Sequence, residues 1–97
     1  MVTLSFVFDD AEMDSSGYTR DELLEPMREH AKKYGITETS YGVFSMDGEY
    51  ALGAIGRYAV HMSDEFMNYF DAIILDVNGN IEDCKTELMK ARETIHV

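Results

Sequence analysis

Apolar side chains alternate with other residues at the start of the chain. Leu4, Phe6 and Phe8 occupy every second position, with Val2 before them. Period two in β-branched and aromatic residues is typical of a strand with one face in the core. The pattern predicts a strand whose Leu4, Phe6 and Phe8 side chains point inward. Residues 9–17 show no period, and we expect an acidic loop there.

A helix is predicted after this loop. Thr19 and Glu22 form a capping box, in which each side chain reaches the backbone of the other residue. Gly35 suits the left-handed residue that ends many helices. Pro26 lies too deep for a first-turn proline, so we expect one kinked helix. One stripe of this helix carries Leu23, Leu24, Met27, Ala31 and Tyr34.

From residue 36 to residue 62 the pattern favours strands. Tyr41, Val43 and Phe44 have strand character, and the Asp47-Gly48 pair that follows is typical of a two-residue hairpin. Residues 50–62 then alternate between apolar and more polar positions. They predict either one long strand or two strands divided near Gly53 and Gly56, because glycine in a strand often marks a bend.

The last third of the chain leaves two alternatives. Residues 63–69 predict a short helical turn, and the apolar run of residues 71–77 predicts a covered strand. Asn78-Gly79 then either closes a hairpin into a strand over residues 80–84 or leads into a helix capped by Asn80. Intervals of three and four favour the helix, through Ile81, Cys84, Leu88, Ala91 and Ile95.

Strands clustered between helices predict one α+β domain over residues 1–97. We expect a mainly antiparallel sheet of four to five strands, with two main helices packed on one face. A chain of 97 residues holds one core and is too short for two ordinary domains. Because short domains bury a small share of their surface, a homodimer is one possible remedy, which the sequence does not demand.

Charge restricts the partners. Nineteen acidic residues against eight basic ones give a formal charge of −11. Such a field repels phosphates and anionic lipids, so we expect no direct nucleic-acid binding and no membrane binding. It attracts a basic protein surface, although a dense acidic surface also serves solubility alone.

No catalytic, cofactor or metal motif emerges from the spacing. Cys84 is the only cysteine, which excludes an intrachain disulfide and fits a reducing cytoplasm. His30, His61 and His96 are not spaced from one another as helical metal ligands are. The chain has neither a nucleophile elbow nor a phosphate-binding glycine loop. We therefore expect a cytoplasmic protein that is not an enzyme and has no cofactor or metal.

The densest charge lies in residues 9–29. Eight acidic and two basic residues give this segment −6, more than half of the total. A row of carboxylates can imitate spaced phosphates, and nearby aromatic residues supply buried anchors. The predicted partner-binding residues are Asp9, Asp10, Glu12, Asp14, Tyr18, Asp21, Glu22 and Glu25.

Two functions of different classes follow from these patterns. The first is a non-enzymatic inhibitor that occludes a basic nucleic-acid-binding protein by imitating DNA. Acidic anti-CRISPR and anti-restriction proteins of phages and mobile elements are similar in size and charge, which is an analogy only. The alternative is a dimeric module that responds to a small molecule or metal. The candidates to line its pocket are Tyr41, Tyr50, Tyr58 and Tyr69, although ordinary sheet positions are the favoured interpretation of these tyrosines.

Overall fold

A computed structural model describes residues 1–88 of the chain. It contains one five-stranded sheet and three main helices, which confirms the predicted α+β class. The strands are β1 (Val2–Phe8), β2 (Thr37–Ser40), β3 (Val43–Met46), β4 (Phe70–Val77) and β5 (Asn80–Asp83). The helices are α1 (Asp10–Ser16), α2 (Arg20–Lys33) and α3 (Ala51–Phe66), and α3 is followed by a 3-10 turn over Met67–Tyr69.

The sheet interleaves two βαβ units. Its strand order is β2-β3-β1-β4-β5, and every neighbouring pair is antiparallel. Because β1 and β2 both run antiparallel to β3, they are parallel to each other with β3 between them. The same reasoning makes β3 and β4 parallel, with β1 between them. This is the ferredoxin-like, or split βαβ, arrangement extended by a fifth edge strand.

The core lies between α2, α3 and one face of the sheet. Leu4 and Phe6 of β1 are buried there, as the alternating pattern predicts, whereas Phe8 is only partly buried. Phe6 packs against the rings of Phe44, Tyr58 and Phe70, with centroid distances of 5.9, 6.1 and 4.8 Å. Both long helices therefore cover the same face, as expected.

Helix α2 begins and ends where the sequence predicts. The capping box joins Thr19 Oγ1 to the Glu22 amide and Glu22 Oε1 to the Thr19 amide, both at 3.2 Å. At the other end, Gly35 has φ +75, and Ile36 N donates to Ala31 O at 2.9 Å. These bonds form the left-handed stop that glycine favours. Pro26 lies inside this single helix.

The predicted loop over residues 9–17 is wrong, because most of it forms α1. Asp9 caps this helix by accepting from the Glu12 amide at 3.2 Å, and Gly17 ends it with φ +76. Met13 is the buried side chain of α1. One anchored side chain in seven residues leaves too short a pattern for a helical period to be recognised.

The predicted strand or strands over residues 50–62 are also wrong, because α3 occupies this stretch. The hairpin at Asp47-Gly48 is wrong as well, since Gly48 O accepts from Ala51 N at 3.2 Å and the chain enters the helix. Apolar residues in this stretch fit both the strand period of two residues and the helical period of 3.6 residues. The helical set is the one buried, and it comprises Ala51, Ile55, Tyr58, Ala59 and Met62. Residues 63–69 are helical as predicted, but they continue α3 into the 3-10 turn.

At Asn78-Gly79 the hairpin alternative is the one observed. Asn78 has φ 53 and Gly79 has φ 96, which are the left-handed values of a tight primed turn. The turn joins β4 to β5, so the helix predicted to begin at Asn80 is wrong at its start. Residues 85–88 are helical. Ala91 and Ile95, which belong to the same predicted stripe, lie outside the described residues.

Candidate functional site

The predicted partner-binding residues lie along α1, the turn after it and the first two turns of α2. We call this surface the acidic face. It comprises Asp9, Asp10, Glu12, Asp14, Tyr18, Asp21, Glu22 and Glu25. The structure thus places on adjacent elements what the sequence shows as one segment.

Three of these carboxylates also stabilise α1 and α2 through helix caps and an ion pair. Asp9 caps α1, and Glu22 completes the capping box of α2. Asp10 forms an ion pair with Arg20, which links the first turn of α1 to the first residue of α2. Among the described residues, this ion pair is the one that cancels a charge of the acidic face, because the two caps take their hydrogen bonds from neutral amides.

A shallow cleft of about 330 Å³ opens beside these helices. Tyr41, from the turn between β2 and β3, joins Tyr18 and Asp14 in its lining. The Tyr41 hydroxyl donates to Asp21 Oδ1 at 2.8 Å, and this bond is the main cause that raises the pKa of Tyr41. Tyr18 and Tyr41 are 52% and 57% exposed, so each ring offers apolar surface beside carboxylates.

Tyr41 is held in place by a polar network beneath it. Arg28 Nε donates to Glu38 Oε1 at 2.6 Å, and the Gly42 amide donates to Glu38 Oε2 at 3.1 Å. The hydrogen bond to Glu38 raises the pKa of Arg28, whose guanidinium carbon lies 6.0 Å from the centroid of the Tyr41 ring. Sequence reasoning missed Tyr41 as a member of this surface, because twenty residues separate it from Asp21.

Glu12, Asp14 and Glu25 are the carboxylates available for an outside partner. All three side chains are exposed, and none of the three carboxylates forms a hydrogen bond or ion pair with another residue of the described part of the chain. The carboxylates of Asp9 and Glu22 also keep their negative charge, because their hydrogen bonds come from neutral amides. Within the acidic face, the exposed ring of Tyr18 shares its cleft with the carboxylates of Asp14 and Asp21, and Arg20 also lines it.

The four tyrosines of the alternative hypothesis do not share one pocket. Tyr58 is fully buried in the core, where its hydroxyl donates to Met27 O at 2.8 Å. Tyr50 is 76% exposed just before α3, and Tyr41 belongs to the acidic cleft. Tyr69 instead packs edge-on against Tyr18 at 6.4 Å. The four tyrosines are therefore divided among the core, the start of α3 and the surface around Tyr18.

Two histidines meet between α2 and α3. The ring centroids of His30 and His61 are 4.5 Å apart, and Glu65 Oε1 lies 3.2 Å from His61 Nε2. The sequence does not predict the contact between His30 and His61, because it joins two different helices. The contact between His61 and Glu65 can be predicted, because residues four apart lie on one face of a helix.

An apolar groove of about 590 Å³ runs beside the histidines along α3. Leu52, Gly56 and Val60 line it, together with the polar side chains of Arg57 and His61. Leu52 is 52% exposed and Gly56 adds no side chain, so the helix presents open apolar surface here. Leu88, the last residue described, also contributes to the lining.

Cys84 is buried at the end of β5. Its Sγ donates to Ile73 O at 3.3 Å, and burial raises the pKa of the thiol. A raised pKa leaves little thiolate, which is the nucleophilic form. The Cys84 side chain is therefore suited to packing in the core and not to acting as a nucleophile.

Comparison with protein-family models, curated proteins and solved structures finds no match for the chain. Among residues 1–88, no helix has both the length and the apolar character needed to cross a membrane.

Proposed function

We propose that this protein is a non-enzymatic binding module whose acidic face grips a basic surface on a partner protein. The observation that carries the proposal is the pair of exposed tyrosine rings, Tyr18 and Tyr41, set among carboxylates in one cleft. Tyrosine supplies large contact area at low entropic cost and is common at the centre of protein interfaces.

The proposed partner is a protein that binds nucleic acid. Arg and Lys side chains that hold phosphates pair equally well with carboxylates, and bidentate pairing with Arg adds geometric specificity. Carboxylates of Glu12, Asp14 and Glu25 would occupy such sites and exclude DNA or RNA by charge and bulk. A cytoplasmic inhibitor of CRISPR or restriction nucleases is the finer form of this proposal, supported by size and charge alone.

The test uses displacement of a labelled DNA duplex from purified CRISPR and restriction nucleases, followed by fluorescence anisotropy. We expect the protein to release DNA from at least one nuclease. We expect its affinity for that nuclease to fall steeply with added salt, because surface charges are screened. The variant Glu12→Lys/Asp14→Lys should weaken binding at least about tenfold, since charge-pair couplings at interfaces reach several kcal/mol.

A matched control separates the acidic face from net charge. Glu49→Lys/Glu82→Lys changes the charge by the same amount at exposed positions outside that face. Equal weakening by both variants would mean that overall charge, not this surface, drives binding. Retention of full affinity by Glu12→Lys/Asp14→Lys would refute the proposed surface. Asp9, Asp10 and Glu22 are avoided, because their substitution also disturbs the fold.

A further inference from the structure

Three potential metal ligands converge between the two long helices. His30 lies on α2, and His61 and Glu65 lie one turn apart on α3. One ligand atom from each of the three side chains lies within 4.8 Å of the other two. None of these residues belongs to the acidic face, so the cluster is independent of the function proposed above.

The distances are close to those of a bound zinc ion. Zinc binds imidazole nitrogen and carboxylate oxygen at about 2.1 Å, which puts tetrahedral ligand atoms about 3.4 Å apart. His61 Nε2 and Glu65 Oε1 are already 3.2 Å apart. The ligand atom of His30 lies within 4.8 Å of the other two, so rotation of the side chains can bring it towards the zinc spacing.

His61 carries an unsatisfied nitrogen at the centre of this cluster. Its Nε2 atom is buried and has no hydrogen-bond partner among the described residues. Glu65 is close enough for an ion pair, but its direction is not that of a hydrogen bond. Buried polar atoms are nearly always paired, so a buried nitrogen that faces a second imidazole and a carboxylate is well placed to bind a cation.

The donor set selects the class of metal. Two imidazoles and one carboxylate suit zinc and other divalent first-row transition ions, whereas magnesium and calcium prefer oxygen ligands. The glutamate charge and the overall charge of −11 both favour a cation. Three protein ligands leave a fourth position for water or a small ligand.

We propose that His30, His61 and Glu65 form a zinc-binding site that fastens α2 to α3. Because the ligands come from both helices, the ion binds the folded chain more tightly than the unfolded one. Binding therefore stabilises the packing of the two helices against each other.

The test titrates tag-free, chelator-treated full-length protein with Zn²⁺ by isothermal calorimetry and follows thermal unfolding in parallel. We expect one equivalent to bind with micromolar or tighter affinity and to raise Tm, whereas Mg²⁺ has no effect. His30→Gln and His61→Gln should each weaken binding at least about tenfold, because loss of even an indirect ligand contact costs that much. Glu82→Gln, on the edge strand, is the matched control and should bind as the wild type does.

A second readout protects the test against variants that fail to fold. In NMR spectra of the wild-type protein, Zn²⁺ should shift or broaden the imidazole signals of two of the three histidines. Absence of saturable Zn²⁺ binding overturns the proposal. So does binding that leaves these two sets of signals unchanged or that survives both histidine substitutions.

Discussion

Tyr58 shows how one side chain can join the two layers of the fold. Its ring lies 6.1 Å from that of Phe6 and 5.4 Å from that of Phe44, which places it on the sheet. Its hydroxyl donates to Met27 O of α2, although Tyr58 itself belongs to α3. Burial strongly raises the pKa of this phenol, and the nearby Glu38 carboxylate adds to the rise. A single buried hydroxyl thus links α3, α2 and the sheet.

Removal of this hydroxyl should weaken the fold at neutral pH. Tyr58→Phe keeps the ring and loses one buried hydrogen bond, so the free energy of unfolding should fall by about 1 kcal/mol. Urea denaturation at about pH 7 measures the change. Tyr50→Phe is the matched control, since Tyr50 is 76% exposed and should show no change.

The raised pKa of Tyr58 should also make the protein less stable in alkali. In the unfolded chain the phenol ionises near its ordinary pKa of about 10, whereas the folded state keeps it protonated. The unfolded state therefore binds fewer protons above about pH 10, and stability falls as pH rises. The decline between about pH 9 and about pH 11 should be smaller in Tyr58→Phe than in the wild type. Parallel declines in both proteins would contradict this role.

At the scale of elements, α2 has well-capped ends, but a proline lies in its interior. Its capping box and its left-handed glycine satisfy the terminal backbone groups. Pro26, in its second turn, has no amide to donate to the carbonyl of Glu22. Buried Leu23, Leu24 and Met27 keep the helix on the core despite that defect.

Replacement of this proline should stabilise the helix. Pro26→Ala restores the missing amide donor, and a proline inside a helix costs about 3 kcal/mol relative to alanine. Greater freedom of the unfolded chain offsets about 1 kcal/mol of this gain. The free energy of unfolding should therefore rise by about 1–2 kcal/mol in urea denaturation. Glu25→Ala, at an exposed position of the same helix, should change it by less than about 0.5 kcal/mol. A decrease in Pro26→Ala would show that packing of the half-buried ring dominates.

At the scale of the whole molecule, charge opposes folding. A net charge of −11 on 97 residues repels itself in the compact state. The ion pairs that relieve this repulsion in the described part of the chain are few, and most lie on the surface, where each contributes little. Such a surface is costly for stability and useful for attracting a cationic partner.

Salt should therefore stabilise the protein. The Debye screening length falls to about 3 Å at 1 M ionic strength, so added salt removes most of the repulsion between surface carboxylates. We expect Tm to rise with added NaCl. Glu49→Lys/Glu82→Lys, which has a smaller net charge, should have a higher Tm at low salt and a weaker salt dependence. A Tm that falls with salt would mean that the ion pairs outweigh the repulsion.

The sequence determined this protein's class and several of its elements. Local backbone chemistry acts within a few residues, so the capping box at Thr19, the stop at Gly35 and the alternation of β1 were all readable. The acidic segment can likewise be recognised from the sequence, because its charged residues are contiguous along the chain. Local patterns failed where two periods overlapped, as in α3, or where only Met13 was anchored, as in α1.

Only the tertiary structure decided which distant residues meet. The sheet required a second covering helix, and burial of Ile55, Tyr58 and Met62 selected the helical period over the strand period. Chain folding likewise brought Tyr41 to the acidic face and His30 to His61. These contacts join residues twenty or more positions apart, and no local pattern encodes them, because they depend on how whole elements pack.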